Sequence, residues 1–314
     1  MQPLVIIIGP TAVGKSALGV ELALAIDGEI ISGDSVQVYR KLDIGSAKPS
    51  KEEQKGVQHH LLDFLDPTQP YTVALFQSQT EQLIQSINQR GKTPIVVGGT
   101  GLYIRSITDG FSFPEKGSDT IKQKWLDYAL KQGKEKLYSE LKARDPVSAS
   151  RLHINDTARI VRALEVFEIT GKPLSSQRLY NEKQYSELED SIIYIGLTAP
   201  REIIYERINK RCETMIESGL IEETADLLRD GYSLKLKPLQ SIGYRHAVLY
   251  LTGKVTQSEM LRLLQRDTRH FAKRQLTWFK RDPRIKWYDI TIFTLNQIII
   301  DIINTCREFQ TRVE

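Results

Sequence analysis

Short apolar runs alternate with amphipathic segments along the first third of the chain. The runs at 4–8, 29–32 and 94–98 have the length of buried strands and are bounded by glycine. Between them, residues 16–26 and 72–90 repeat apolar side chains at helical spacing. Strands that alternate with helices in this way predict a parallel sheet that is covered by helices on both faces.

The pattern changes after Phe113. The following apolar side chains keep helical spacing without any strand pattern, and strand character returns only at 192–197. A final strand and helix are predicted near the C-terminal end. We therefore predict an α/β fold with two core segments, 1–113 and 191–314, and an inserted all-helical domain, 114–190.

The segment GPTAVGKS, residues 9–16, matches the phosphate-binding loop pattern G-x-x-x-x-G-K-[ST]. It joins a predicted strand to a predicted helix, so the core is expected to be a P-loop NTPase-like parallel sheet, and such loops usually hold ATP or another nucleotide. Lys15 is expected to reach phosphate oxygens, and the Ser16 hydroxyl is expected to ligate Mg²⁺. The residues predicted to hold the phosphates are Gly9, Thr11, Ala12, Val13, Gly14, Lys15 and Ser16.

An acidic partner for this loop is expected at the end of a neighbouring strand. The strand at 94–98 ends in glycine without a carboxylate, whereas the strand at 29–32 leads to Asp34. Because the carboxyl ends of parallel strands meet at one edge, Asp34 should lie near the loop and could take a proton from a nucleophile. A turn-forming role is the alternative. A small-molecule kinase and a transferase with a diphosphate leaving group fit these residues equally well.

Positive charge is concentrated in one late segment. The chain carries a formal net charge of +4, yet nine basic residues lie between Arg262 and Lys286, opposed only by Asp267 and Asp282. Such a surface predicts a polyanionic partner, although a solvated helix face is the alternative explanation.

The remaining composition is that of an ordinary globular protein. The two cysteines are far apart in the sequence and give neither a zinc spacing nor a disulfide scaffold, so a reduced, cytoplasmic protein is expected. No apolar run is long enough to span a membrane, and no membrane association is predicted.

Several further segments resemble the tRNA dimethylallyltransferases, also called tRNA isopentenyltransferases. They follow the family's order from residue 9 to about residue 280 and include ISGDSVQVYRKLDIGSAKP, GGTGLYI, LHINDTARIVRALEVFEITGKPLS, SIGYR and FAKRQLTWFK. The resemblance implies dimethylallyl diphosphate as donor and Mg²⁺ as metal. It implies as acceptor the N6 of the adenosine 3′ of the anticodon, in tRNAs that read codons starting with U.

The resemblance also assigns roles to single residues. The loop would cradle the diphosphate, with Thr11 and Ser16 as hydroxyl ligands, and Asp34 would be the general base. Lys15 would stabilise the departing diphosphate, and Arg207 and Arg211 are candidates for the same role, with surface ion pairs as the alternative.

Contacts to tRNA are implied for three regions. The Gln37 amide could read an adenine edge, and Arg159 and Arg162 share a helix face from which they could grip phosphates, unless they are merely solvated. Phe271, Trp278 and Phe279 are predicted to pack rather than to stack on bases. The residues expected to contact tRNA are Asp34, Ser35, Val36, Gln37, Thr100, Ala158, Arg159, Ile160, Val161, Arg162, Lys273 and Arg274.

The sequence departs from the family pattern at Val36, Leu75 and His270, none of which removes the loop or Asp34. A small-molecule kinase, an adenylate isopentenyltransferase and a non-catalytic RNA-binding protein are the alternative functions. A monomer is expected, because no obvious apolar patch is left for self-association.

Overall fold

The computed structural model describes residues 2–109, 117–176 and 191–313. These residues belong to two compact units: a core, formed by Met1–Thr108 and Ser186–Glu314, and an insert, Asp109–Tyr185. The predicted insert boundaries, after Phe113 and at residue 190, lie outside the described residues.

Six strands and a series of helices make up the described core. The strands are β1 (Leu4–Ile8), β2 (Gly28–Gly33), β3 (His59–His60), β4 (Thr93–Gly98), β5 (Ile192–Thr198) and β6 (Lys286–Asp289). The helices before the insert are α1 (Lys15–Ile26), α2 (Lys51–Gln54), α3 (Val73–Gln89) and α4 (Gly101–Thr108). Those after it are α9 (Arg201–Glu217), α10 (Leu220–Arg229), α11 (Tyr244–Leu251), α12 (Gln257–Phe279) and α13 (Leu295–Val313).

The strands form one parallel sheet in the order β3-β2-β4-β1-β5-β6. β1 lies inside the sheet, with Val5 opposite Ile95 of β4 on one side and Ile193 of β5 on the other. The predicted α/β class is confirmed, although the sequence pattern did not reveal the two-residue strand β3.

Helices pack on both faces of the sheet, so every residue of β1 is buried. Val5 and Ile7 pack with residues of α1 and α13, whereas the alternate residues Ile6 and Ile8 pack with α3, α4 and Phe279 of α12. Full burial of each such side chain contributes about 1.5–3 kcal/mol, so this strand anchors the core.

A separate apolar cluster holds the segment that follows β2. Val38, Tyr39 and Leu42 pack with buried residues of α9, α10, α11 and α12. The C-terminal helices therefore fix the segment that carries Asp34 and Gln37 to the rest of the core.

The described part of the insert is helical. It contains α5 (Asp119–Gln132), α6 (Lys134–Arg144), α7 (Pro146–Arg151) and α8 (Thr157–Thr170), which pack around Trp125, Leu137, Leu141 and Leu164. Within the described residues, no helix combines the length and the apolar character that crossing a bilayer requires.

Glu223 of α10 clamps the loop that follows Leu42. Its carboxylate accepts hydrogen bonds from the backbone amides of Asp43, Ile44 and Gly45 at 2.8–3.1 Å. The buried Tyr244 hydroxyl donates to the same carboxylate at 2.6 Å, and burial raises the pKa of this phenol, which therefore stays a donor. Four donors on one carboxylate leave the loop little freedom.

Gly45→Ala is expected to destabilise the protein by about 1–3 kcal/mol through steric overlap. A Cβ at this position would lie 2.5 Å from a ring carbon of Tyr244, and that ring cannot withdraw because it is fully buried and bonded to Glu223. Urea unfolding measures the loss. The substitution should cost less in a Tyr244→Leu background, and an equal cost in both backgrounds would contradict the steric explanation.

Candidate active site

The predicted site residues of the core meet at the carboxyl-terminal edge of the sheet. The phosphate-binding loop follows β1, Asp34 follows β2, and Thr100 follows β4, which lies between those two strands. Gly33 and Gly98 pair in register, so closely that a Cβ on Gly98 would lie 2.5 Å from the Gly33 carbonyl oxygen. Ligands of open α/β sheets bind at this edge.

The loop 9–16 has the conformation that its glycines predict. Gly14 caps α1 with φ 102°, and α1 begins at Lys15, so the first amides of the helix face the loop. Ala12 also takes a positive φ of 66°, which an alanine rarely adopts. This turn gives the loop the concave shape and the positive helix end that bind phosphate groups.

The loop pattern predicts that the backbone amides from Thr11 to Ser16 point to a phosphate, and the structure differs at the first of them. The amide of Thr11 does not face a phosphate site: it donates to Oε1 of Gln275 at 2.8 Å. Nε2 of the same glutamine donates to the Gly99 carbonyl at 2.9 Å. Gln275, which is 6% exposed, therefore joins the loop after β1 to the loop after β4. Its position on the buried stripe of α12, between Ala272 and Phe279, is the sequence signal that could have revealed it.

Cationic side chains from α1 and α9 line a groove of about 1180 Å³ beside the loop. Nη1 of Arg211 lies 3.4 Å from the Thr11 hydroxyl, and Arg207 and Lys210 lie on the same helix. Within the described residues, neither Arg207 nor Lys210 forms an ion pair, so both charges are available to an anion. Lys210 was not predicted; its place between two predicted arginines was the signal.

Lys15 is held in an uncommon electrostatic state. Its amine donates to the Pro10 carbonyl at 2.8 Å. Desolvation and the nearby Arg211 charge lower the pKa of Lys15 to about 7, although the Asp34 carboxylate acts in the opposite direction. An anionic ligand would supply the negative charge that this pair of cations lacks.

We expect the affinity for a diphosphate ester, measured without RNA, to fall up to about tenfold per pH unit above pH 7. Free Lys15 is increasingly neutral there, whereas the bound anion favours the charged amine, so binding must take up a proton. Calorimetry in buffers of different ionisation enthalpy at pH 8 should report an uptake of about one proton. Lys15→Arg should abolish the uptake; an unchanged uptake in that variant would contradict the assignment to Lys15.

Asp34 has one oxygen engaged and one available. Oδ1 accepts the amides of Val36 at 2.8 Å and Gln37 at 3.2 Å, which is the turn role that the sequence left as the alternative. Within the described chain, Oδ2 has no hydrogen-bond partner. The backbone bonds thus orient the carboxylate, and the second oxygen can accept a proton.

The Gln37 amide already makes several contacts inside the protein. Its Nε2 donates to the carbonyls of Ser46 at 3.2 Å and Ala47 at 3.0 Å, while its Oε1 accepts from the Ser32 hydroxyl at 3.4 Å. The predicted recognition of an adenine edge would have to replace some of these bonds. Its neighbours Ser35 and Val36 are partly exposed, as is Thr100.

Residues 158–162 of the insert, which were predicted to contact tRNA, differ in their exposure. Ala158 and Arg159 are exposed on α8, whereas Ile160 and Val161 are buried in the insert core. Their side chains are therefore packed inside the insert, and contact of this stretch with RNA stays a prediction. Arg159 pairs with Asp156 at 2.7 Å and Arg162 with Glu165 at 2.8 Å. These ion pairs hold both guanidinium groups in place.

The nine basic residues of the basic stretch differ in their contacts, and the partly buried Arg269 donates to the Asn209 side chain at 2.6 Å. Arg262, Arg266, Arg284 and Lys286 form ion pairs with carboxylates of the chain. The four residues that remain exposed and form no ion pair among the described residues are Lys273, Arg274, Lys280 and Arg281. The charge available to a polyanion therefore lies at the C-terminal end of α12.

Comparison with known proteins identifies the family. The family model described as IPP transferase matches residues 37–282. The chain is 64% identical to the tRNA dimethylallyltransferase of Desulfitobacterium hafniense (strain DSM 10664 / DCB-2) over 314 residues, which is 100% of both chains.

Two solved structures agree with this match. The full-length tRNA isopentenylpyrophosphate transferase from Bacillus halodurans has a TM-score of 0.73 and 38% identity, with 99% of each chain covered. A eukaryotic dimethylallyltransferase acting on tRNA has a TM-score of 0.78 and 27% identity, with 92% of this chain and 74% of that chain covered. The chain belongs to the tRNA dimethylallyltransferase family, a family of prenyltransferases.

Proposed function

We propose that this protein transfers a dimethylallyl group from dimethylallyl diphosphate to the N6 of the adenosine 3′ of the anticodon, in tRNAs that read codons starting with U. The observation that carries the proposal is the juxtaposition of two features at one edge of the sheet. The phosphate-binding loop with Lys15 follows β1 and is contacted by Arg211, and Asp34, oriented by two backbone amides, follows β2 at the same edge of the sheet. The family membership supports the same reaction.

The proposed chemistry is a displacement at the first carbon of the allyl group. The N6 amine forms a bond to that carbon while the bond from the carbon to the diphosphate oxygen breaks. Oδ2 of Asp34 takes the proton that the amine loses, and the loop with Lys15 and Arg211 holds the departing diphosphate. An adenine amine is a weak nucleophile, so the reaction depends on stabilising the charge that builds on the leaving diphosphate in the transition state.

Mg²⁺ is the metal that we expect with the donor. Ser16 is exposed at the start of α1 and lines the groove, and its hydroxyl has no hydrogen-bond partner among the described residues. One hydroxyl with substrate phosphates and water is a usual Mg²⁺ ligand set, so the residues fit the ion. When bound, Mg²⁺ would neutralise charge on the diphosphate.

The two cysteines are consistent with a reducing compartment. Cys212 and Cys306 are free and buried, and we place the reaction in the cytoplasm.

We further propose that the protein acts as a monomer.

The experiment combines the purified chain, Mg²⁺ and radiolabelled dimethylallyl diphosphate with an unmodified anticodon stem-loop. One RNA carries adenosine 3′ of the anticodon and a matched RNA carries guanosine there. Label in the adenosine RNA alone supports the proposal. Transfer to AMP but not to RNA would indicate an adenylate isopentenyltransferase, and phosphate transfer from ATP to a small alcohol would indicate a kinase; either result overturns the proposal.

A further inference from the structure

Trp278, near the end of α12, packs against the protein on one side and is exposed on the other. Its side chain is 38% exposed, whereas the neighbouring Phe279 is 2% exposed and belongs to the core under the sheet. The indole Nε1 has no hydrogen-bond partner among the described residues. A partly exposed tryptophan offers a partner both a ring surface and an Nε1 donor, which is why this residue type is enriched at interfaces.

The indole is fixed against the loop that follows β4. A Cβ on Gly101 would lie 2.5 Å from both Cδ1 and Nε1 of Trp278, so only glycine allows this approach. The Arg105 guanidinium lies 5.9 Å from the ring centroid, within the range of a cation–π interaction. The ring is therefore held in one orientation before any partner binds.

Trp278 lies close to the candidate active site in space, although it is far from the site residues in the sequence. Gln275, one helical turn before Trp278, donates to the Gly99 carbonyl at the catalytic edge of the sheet. Thr100, a predicted RNA contact, lies between Gly99 and the glycine that the indole touches. The exposed ring thus borders the loop beside which the acceptor adenosine is expected.

The charge around the indole suits a nucleic acid. Lys273, Arg274, Lys280 and Arg281 flank Trp278 on α12 and just beyond it, and none forms an ion pair among the described residues. Arg274 also lies 5.9 Å from the ring centroid of the partly exposed Phe271, one turn earlier on the same stripe. Aromatic side chains interleaved with unpaired basic ones are typical of surfaces that bind single-stranded nucleic acid.

We propose that Trp278 stacks on an unpaired base of the RNA acceptor, next to the nucleotide that enters the active site. The flanking lysines and arginines contact the phosphates on either side, and the stacked base fixes the loop while the target base is extruded. This role rests on the proposed function for the identity of the RNA and adds a base-stacking contact at a residue that is not among those predicted to contact tRNA.

The test compares Trp278→Leu, which keeps an apolar side chain without a π face, with Trp278→Phe. We expect Trp278→Leu to weaken binding of the anticodon stem-loop roughly tenfold and Trp278→Phe to weaken it less than about threefold. The affinity for dimethylallyl diphosphate should not change in either variant, and both should remain folded at the assay temperature. Phe293→Leu, at an exposed aromatic residue after β6, is the matched control and should bind RNA normally.

Salt dependence separates stacking from charge. In Trp278→Leu the slope of log K against log salt should equal that of the wild type, whereas Arg274→Ala should reduce the slope by about 0.7. RNA should also quench tryptophan fluorescence in the wild type but not in Trp278→Phe, because Trp125 is buried and Trp287 is partly buried.

The outcomes distinguish this inference from the proposed reaction. Normal RNA affinity in Trp278→Leu, or quenching that persists in Trp278→Phe, overturns the stacking role even if the wild type transfers the prenyl group. Quenching and weakened binding without any transfer by the wild type would support the stacking role and overturn the reaction.

Discussion

Replacing Asp34 with asparagine is expected to lower kcat by about 10²–10⁴-fold, the usual contribution of a positioned general base. Asparagine keeps the side-chain oxygen that accepts the amides of Val36 and Gln37, so the turn after β2 should persist. The amide cannot take the proton from the attacking amine. Affinities for RNA and donor should therefore stay within about threefold of the wild-type values.

Two further variants serve as comparisons for Asp34→Asn. Asp226→Asn removes an exposed carboxylate of α10 that does not line the groove, and it should leave kcat unchanged. Asp34→Ala removes the turn bonds as well, so its RNA affinity should also fall. Single-turnover kinetics at saturating RNA and donor measure the chemical step. A value of kcat for Asp34→Asn within about tenfold of the wild type would show that another group, or water, accepts the proton.

Replacing Gln275 with leucine is expected to lower kcat/KM for the donor by roughly 100-fold, because small displacements of reacting groups cost about that much. The substitution removes the only described partner of the Thr11 amide and the donor to the Gly99 carbonyl, and these groups belong to the loops after β1 and β4 that border the candidate active site. Gln275 acts through these backbone groups, so it is a positioning residue.

A second substitution separates positioning from general stability. Gln275→Glu keeps an acceptor for the Thr11 amide but cannot donate to Gly99, so it should retain more donor affinity than Gln275→Leu. Gln265 is the matched control on the same helix; its amide contacts Glu213 at 3.1 Å, away from the loop. Gln265→Leu should leave donor kinetics unchanged. Equal kinetics in Gln275→Leu and Gln265→Leu, measured at a temperature where both are folded, would contradict the positioning role.

Much of the fold could be predicted because the spacing of apolar residues in the sequence matches the pattern of buried residues in the strands and helices. The run at 4–8 is apolar throughout since β1 is covered on both faces, and glycine marks the ends of its neighbours. β3 could not be predicted, because two residues, His59 and His60, carry no periodic pattern and are defined only by pairing with β2. Tertiary pairing, rather than local sequence preference, makes this strand.

The site was predictable where a motif constrains the backbone and less so where a single side chain links distant segments. GPTAVGKS gave the loop, and strand order gave the neighbourhood of Asp34. The sequence could not show that Thr11 would donate to Gln275, because those residues are 264 positions apart. Trp278 was assigned to packing from helical spacing, which does not distinguish the buried position 279 from the exposed position 278.

The central place of β1 in the sheet has a consequence for synthesis of the chain. One edge of β1 can pair with β4 early, but the other pairs with β5, whose residues follow the insert. At translation rates of about 5–20 residues per second, a fully apolar strand edge stays open on the ribosome for roughly 10–40 s. Slow completion of this non-local pairing exposes nascent chains to misassociation, so their yield should depend on chaperones that shield strand edges.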